Sequence, residues 1–159
     1  MIILVLMSPT LSLALIDIAI KSYVEGYMNK GEERTACKGR ILIRKVYNKG
    51  MCLNLFEDHQ DFVKVSSAIV TMLLTIYQCI TLVRKRHYLK KAGLSLMTAG
   101  AWSNTFDRWI RGYVIDYVGF KTKWEKITRI TYNLGDFFLA AGAVLMMLSS
   151  VFHFKKRKN

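Results

Sequence analysis

Polar and apolar positions are sorted along this chain rather than mixed. Residues 1–16, 65–83, 92–106 and 137–154 carry no charged side chain, and the acids and bases crowd into the stretches between them. A helix that crosses the hydrocarbon of a bilayer needs about 20 mostly apolar residues. The second and fourth runs meet that length as they stand, and the first meets it by continuing through Asp17 to Ile20. The third is short and carries Ser95, Thr98, Ser103 and Asn104, so one of its sides must face protein or water. The pattern predicts an all-α polytopic membrane protein. It would be a single membrane-embedded domain over residues 1–159, with four transmembrane helices near 1–20, 63–83, 90–108 and 130–154. The first run has no basic residues ahead of it and no small-x-small cleavage site behind it. It therefore reads as a retained anchor and not as a cleaved signal peptide.

The pattern changes inside the first loop. Arg40–Tyr47 and Met51–Phe56 are β-prone runs on either side of Asn48-Lys49-Gly50, which predicts a small β-hairpin or cradle. It could lie on lipid headgroups or serve as a platform for an extended peptide. The stretch 107–129 carries Trp109, Tyr113, Tyr117, Phe120 and Trp124, an aromatic clustering typical of the membrane–water boundary.

Charge adds orientation. The chain is 52% hydrophobic yet carries a net charge of +13. Arg84, Lys85, Arg86, Lys90 and Lys91 sit between runs two and three, and Lys155, Lys156, Arg157 and Lys158 follow run four. Dense basic clusters at span ends mark the cytoplasmic side, so both termini are placed inside. The eight basic residues of 21–61 are diluted by six acids and carry less weight. Contacts with lipid headgroups account for the basic clusters, and nothing resembles a nucleic-acid module. Cys37, Cys52 and Cys79 show no metal-binding spacing, nor do His59, His87 and His153, so no metal site is predicted. Cys37 and Cys52 read as two free thiols, with a disulfide as the alternative.

Asn-x-x-Asp occurs twice, as Asn104 to Asp107 and as Asn133 to Asp136. Counted from the inner ends of their helices, Asp107 lies about 22 Å and Asp136 about 27 Å across the membrane. Both belong near the outer boundary. In each copy the Asn shares a helix face with the Asp three residues later. Asp107 could simply end its helix against Arg108 or Arg111. Asp136 is the only charge between Ile130 and Phe154, and a charge at such a depth needs a partner or a purpose. Two close carboxylates share one proton and can activate water, which points to an aspartyl peptidase. A transporter or proton relay using the same two aspartates is the rival from another class. Asp17 and Lys21, at i, i+4, can form an ion pair beside the site.

Taken together, these residues resemble the bacterial lipoprotein signal peptidase family (signal peptidase II). Its motifs appear in order: Asp17 with Lys21; Asn48 with Gly50; Gly100-Ala101-Trp102-Ser103-Asn104-Thr105-Phe106-Asp107-Arg108 followed by Gly112-Tyr113-Val114-Ile115-Asp116; and Tyr132-Asn133-Leu134-Gly135-Asp136. The resemblance implies four spans in the bacterial cytoplasmic membrane and an active site near the outer face. It implies a substrate too: a prolipoprotein whose cysteine carries diacylglycerol, cut on the amino side of that cysteine. Asp107 and Asp136 are then expected as the catalytic pair, with Asn104, Arg108, Asn133, Asn48, Gly50, Asp17 and Lys21 binding substrate or supporting the pair. No metal or organic cofactor is required, and inhibition by globomycin-type cyclic peptides is implied. A relative that binds lipoproteins without cutting them is the alternative within the family. Departures include Ile18 after the first Asp, Met51-Cys52-Leu53 after Gly50, Gly135 before the second Asp, and a charged stretch from Asn29 to Arg44.

Overall fold

A computed structural model describes residues 2–51 and 55–158, with side chains placed over 5–51 and 55–151. Four long helices carry the apolar runs: α1 (Ile2–Tyr27), α2 (Gln60–Leu82), α3 (Tyr88–Ile110) and α5 (Leu134–Lys158). Between α1 and α2 lie β1 (Glu33–Ala36) and β2 (Ile41–Asn48). Between α3 and α5 lie β3 (Val114–Phe120), the short helix α4 (Glu125–Thr128) and β4 (Thr131–Tyr132). Helix α1 outruns its predicted end at residue 20 because Lys21 is neutralised inside the protein and does not have to emerge into water.

Three helical stretches among the described residues, Val5–Tyr27, Gln60–Leu82 and Leu134–Val151, are long and apolar enough to cross a membrane. The third predicted span, α3, equals α2 in length but is too polar to join them. Its polar residues turn inward, with Thr98, Ser103, Asn104, Thr105 and Asp107 all buried, and it packs against α1, α2 and α5. Elsewhere the usual order of a water-soluble protein is inverted. Leu11 and Leu15 of α1, Ile69 and Leu73 of α2, and Val144 and Met147 of α5 are exposed, whereas Thr10, Thr71, Gln78 and Thr98 are buried. Inside, Gln78 Nε2 donates to Thr10 Oγ1 (2.6 Å) and Ser95 Oγ (3.0 Å), and the hydroxyls of Thr71 and Thr105 meet at 2.8 Å. Hydrogen bonds between helices suit hydrocarbon surroundings, where apolar burial drives little association.

Glycines set the approach of α3 to α5. Gly93 and Gly100 lie seven residues apart on α3, as do Gly135 and Gly142 on α5, so each pair shares one face. A Cβ on Gly142 would stand 2.6 Å from the Gly93 carbonyl oxygen, and one on Gly100 would run into the Gly135 carbonyl. The two backbones touch along this seam. It fixes the relative height of the α3 C-terminus and the α5 N-terminus, which both carry site residues.

The elements between the long helices are not all-α. The strands form one antiparallel sheet in the order β1-β2-β3-β4. Of the predicted hairpin around Asn48-Lys49-Gly50, the first arm lies in β2, which forms a hairpin with β1 through Cys37-Lys38-Gly39-Arg40, Gly39 having φ +79°. The second arm, Met51–Phe56, includes residues 52–54. Both edges of β2 are taken, one by β1 and one by β3. Leu53 and its neighbours 52–54, including Cys52, lie outside the described residues; Cys37 is an exposed free thiol. The aromatic loop after α3 also supplies structure, because β3 arises from it. One face of β3 packs Ile115 and Tyr117 onto Val24 and Met28 of α1 and its following residue. Strand alternation then sends Val114 and Asp116 the other way, into a cavity.

Candidate active site

Asn133 organises the site from a helix cap. It precedes α5, and its Oδ1 accepts the N–H of Asp136 (2.9 Å) while Asp136 Oδ2 accepts the N–H of Asn133 (3.0 Å). This reciprocal arrangement is a capping box. The second Asn-x-x-Asp is therefore a helix start, not a pair inside a span. The free end of the Asn133 amide, Nδ2, donates to Asp116 Oδ1 at 2.6 Å. One buried residue thus holds two carboxylates, that of Asp136 at the start of α5 through its backbone N–H and that of Asp116 on β3 through its side-chain amide.

Both carboxylates line a cavity of about 820 Å³, together with Asn48, Asn104 and Arg108. Farther along, its walls become apolar, with Val70 and Leu74 from α2 and Leu139 and Ala140 from α5. Asp116 Oδ2 accepts a second amide bond, from Asn48 Nδ2 (3.1 Å), and Asn48 Oδ1 accepts the Gly50 N–H (3.1 Å). Burial, and then the negative charge of Asp136, pushes the Asp116 carboxyl up to about 7, against the lowering effect of the Asn133 and Asn48 bonds. Burial and a like charge keep such an acid protonated to a higher pH than an exposed one.

Asp107 is not part of this pair, contrary to the sequence expectation. It is fully buried at the end of α3 and lies apart from the cavity lining. Its Oδ1 is paired with Arg111, and its Oδ2 lies 3.1 Å from Lys21 Nζ and accepts the Ile115 N–H at 3.2 Å. Two cations and a backbone N–H thus occupy its oxygens. Asp107 also anchors the first residues of β3, and so the strand that carries Asp116.

Lys21 connects that ion cluster to the cavity. Its fully buried ammonium lies 3.1 Å from Asp17 Oδ2 and donates to Ser103 Oγ (3.0 Å) and Asn104 Oδ1 (2.7 Å). Because Asn104 Oδ1 is occupied, its Nδ2 is left to donate to Asp136 Oδ1, at 3.0 Å. Asp17 reaches further still, accepting Tyr117 Oη (2.9 Å), Ser103 Oγ (2.6 Å) and the Gly135 N–H (3.0 Å). The Asp17–Lys21 pair is therefore a central strut and not a peripheral one. Gly135 leaves room for it, since a Cβ there would stand 2.8 Å from Asp17 Oδ2 and press on that carboxylate. Arg108 lines the cavity, donating to the Gly50 carbonyl (3.1 Å) and the Asn104 carbonyl (3.4 Å).

The structure brings Asp136, Asn104, Arg108, Asn133 and Asn48 together, with Gly50 hydrogen-bonded to two of them. Asp17, Lys21 and Asp107 form the layer behind. Sequence reasoning missed Asp116. Its signal was the alternation of Val114-Ile115-Asp116-Tyr117-Val118, which reads as a strand with its single acid on the face opposite Ile115 and Tyr117.

The chain belongs to the signal peptidase II family, proteases that act on peptide bonds: the family's profile, described as Signal peptidase (SPase) II, matches residues 10–152. With its three apolar helices it is a multi-pass membrane protein. Relatives named lipoprotein signal peptidase include one from Fusobacterium nucleatum subsp. nucleatum, 28% identical over 93% of this chain and 87% of its own. Another, from Mesorhizobium japonicum, is 26% identical over 94% and 89%. The fold is also that of a solved structure described as a bacterial membrane enzyme determined by the in meso method at 2.3 Å resolution. That match has a TM-score of 0.81 and 17% identity, covering 98% of this chain and 92% of the other.

Proposed function

We propose that this protein is a membrane-embedded aspartyl endopeptidase that removes the signal peptide from diacylglyceryl-modified prolipoproteins, cutting on the amino side of the lipidated cysteine. The catalytic pair is Asp116 and Asp136. The observation that carries this reading is that both line one cavity and both are held by Asn133, whereas Asp107 is neutralised by Lys21 and Arg111.

Two carboxylates at one site ionise in turn, and the pair keeps one proton near neutral pH. The ionised member takes a proton from water as the oxygen attacks the scissile carbonyl. The protonated member donates its proton to the carbonyl oxygen, giving a tetrahedral diol. On collapse it takes a proton back from a diol hydroxyl, while the other member passes the proton it took from water to the leaving amine. Asn104 and Asn133 hold Asp136 in place, Asn133 and Asn48 hold Asp116, and Arg108 presents its guanidinium to the peptide. The apolar walls from α2 and α5 suit the acyl chains, so lipid and peptide would be bound at opposite ends of one cavity. A globomycin-type cyclic peptide would occupy the same space. In this reading α3 is the fourth span, shielded from lipid by its neighbours. Both termini face the cytoplasm of a bacterial cell, and the sheet and the dyad lie at the outer face of the inner membrane.

Purified protein mixed with a diacylated prolipoprotein should yield two products whose masses place the cut immediately before the modified cysteine. An intact substrate after prolonged incubation would favour the binding or transport alternatives.

A further inference from the structure

One wall of the cavity is a segment with little structure of its own: Arg129, Ile130 and the two residues of β4, Thr131 and Tyr132. Helix α4 before it has only four residues, none of them buried. Beyond the pairing of β4 with β3, what holds the segment comes from the far side of the sheet. The Arg44 guanidinium donates from Nη2 to the carbonyls of Thr128 (2.6 Å) and Ile130 (3.1 Å), and from Nε to Thr131 Oγ1 (2.8 Å). Arg44 belongs to β2, and β3 lies between β2 and β4, so the side chain must cross a whole strand. Two features make that possible. The β2–β3 register shifts between Ile43 and Val46, a bulge of the kind that re-aims side chains. Gly119 of β3 also leaves the path open, since a Cβ there would stand 3.0 Å from Arg44 Nη2. The side chain is largely buried, and its remaining nitrogen, Nη1, is 3.6 Å from Glu33.

We infer that Arg44 is a positioning residue for substrate binding. It touches neither the dyad nor the cavity but ties down the wall against which the bound peptide lies. A planar fork that donates in several fixed directions suits this task, whereas a lysine offers a single point charge. The inference rests on the proposed reading of the cavity as the substrate site. A loosened wall should weaken binding and leave the chemistry of Asp116 and Asp136 alone.

The test uses full-length purified protein, steady-state cleavage of a diacylated prolipoprotein, and limited trypsin digestion after Lys126 and Arg129. For Arg44→Gln, KM should rise about tenfold with kcat within about twofold, the signature of lost uniform binding. Trypsin should cut the segment faster. Arg44→Lys should fall between the two proteins. Gly119→Ala, which keeps Arg44 but obstructs its path, should shift KM and trypsin sensitivity in the same direction by less, and it decides the matter if Arg44→Gln does not fold. Unchanged KM and unchanged digestion in these variants, or a fall in kcat at constant KM, would overturn the role of Arg44. If the wild-type protein cleaves nothing, the functional reading fails, and equal digestion rates would then separately refute the strap.

Discussion

Each oxygen of Asp107 meets a cation, Arg111 on one side and Lys21 on the other, whereas each oxygen of Asp116 meets only an amide. In the proposed reading that difference separates a supporting ion, Asp107, from the working acid, Asp116. Removing one member of a buried ion pair strands the others and costs about 3–5 kcal/mol. Asp107→Asn should therefore lower the thermal midpoint in detergent clearly, while Asp116→Asn, which sets one amide donor against another but strands no ion, should lower it less. The Asp116 carboxyl, pushed up to about 7, is protonated below that pH and ionised above it. Cleavage should accordingly fall as pH rises through about 7, where the pair loses its shared proton, and a pH–rate profile of kcat/KM reads this directly. Asp107 was the more conspicuous residue in the sequence because it belongs to a repeated Asn-x-x-Asp. The repeat has two physical meanings, an i, i+3 pair within α3 and a capping box at the start of α5. A single acid on a strand has no such local partner, and its pairing through Asn133 becomes visible only when β3 is placed beside α5.

The helices were legible because charge-free runs of sufficient length leave a chain in lipid few alternatives. The sheet was only half legible. Ile41–Asn48 showed β character, but its partners were set by which edges could be filled, a non-local matter that turn residues near Gly50 could not report. The glycine seam between α3 and α5 was present in the sequence as two matched seven-residue spacings, and nothing local said that they would meet. It yields a test at this scale. Gly142→Val must push the new side chain toward the Gly93 carbonyl and Met97, separating α3 from α5 and tilting the platform of Asp136. The thermal midpoint and the cleavage rate should fall together. Gly26→Ala, with nothing within 4 Å of the new methyl, should hold or slightly raise the midpoint, since Ala favours a helix by up to about 1 kcal/mol over Gly.

At the scale of the whole molecule, the apolar exterior, the inward polar face of α3 and the sheet at one end describe a protein with a single reactive end. In the proposed orientation the basic clusters at 84–91 and 155–158 face the cytoplasm and that end lies opposite. Single cysteines at Arg40 and at Lys121, in a cysteine-free background, should react with an impermeant reagent on intact cells, and one at Lys85 should not. Labelling at Lys85 alone would invert the orientation. The central claim is that Asp116 and Asp136 together cut the substrate, and it turns on one comparison: the mass-resolved cleavage of a diacylated prolipoprotein by purified wild-type, Asp116→Asn and Asp136→Asn proteins. Each substitution should reduce the rate by about 10²–10⁴-fold, the contribution of a positioned acid or base, in protein that remains folded. The double variant should be little worse, because residues that act as a unit are not additive. Cleavage by Asp116→Asn at close to the wild-type rate would contradict the account.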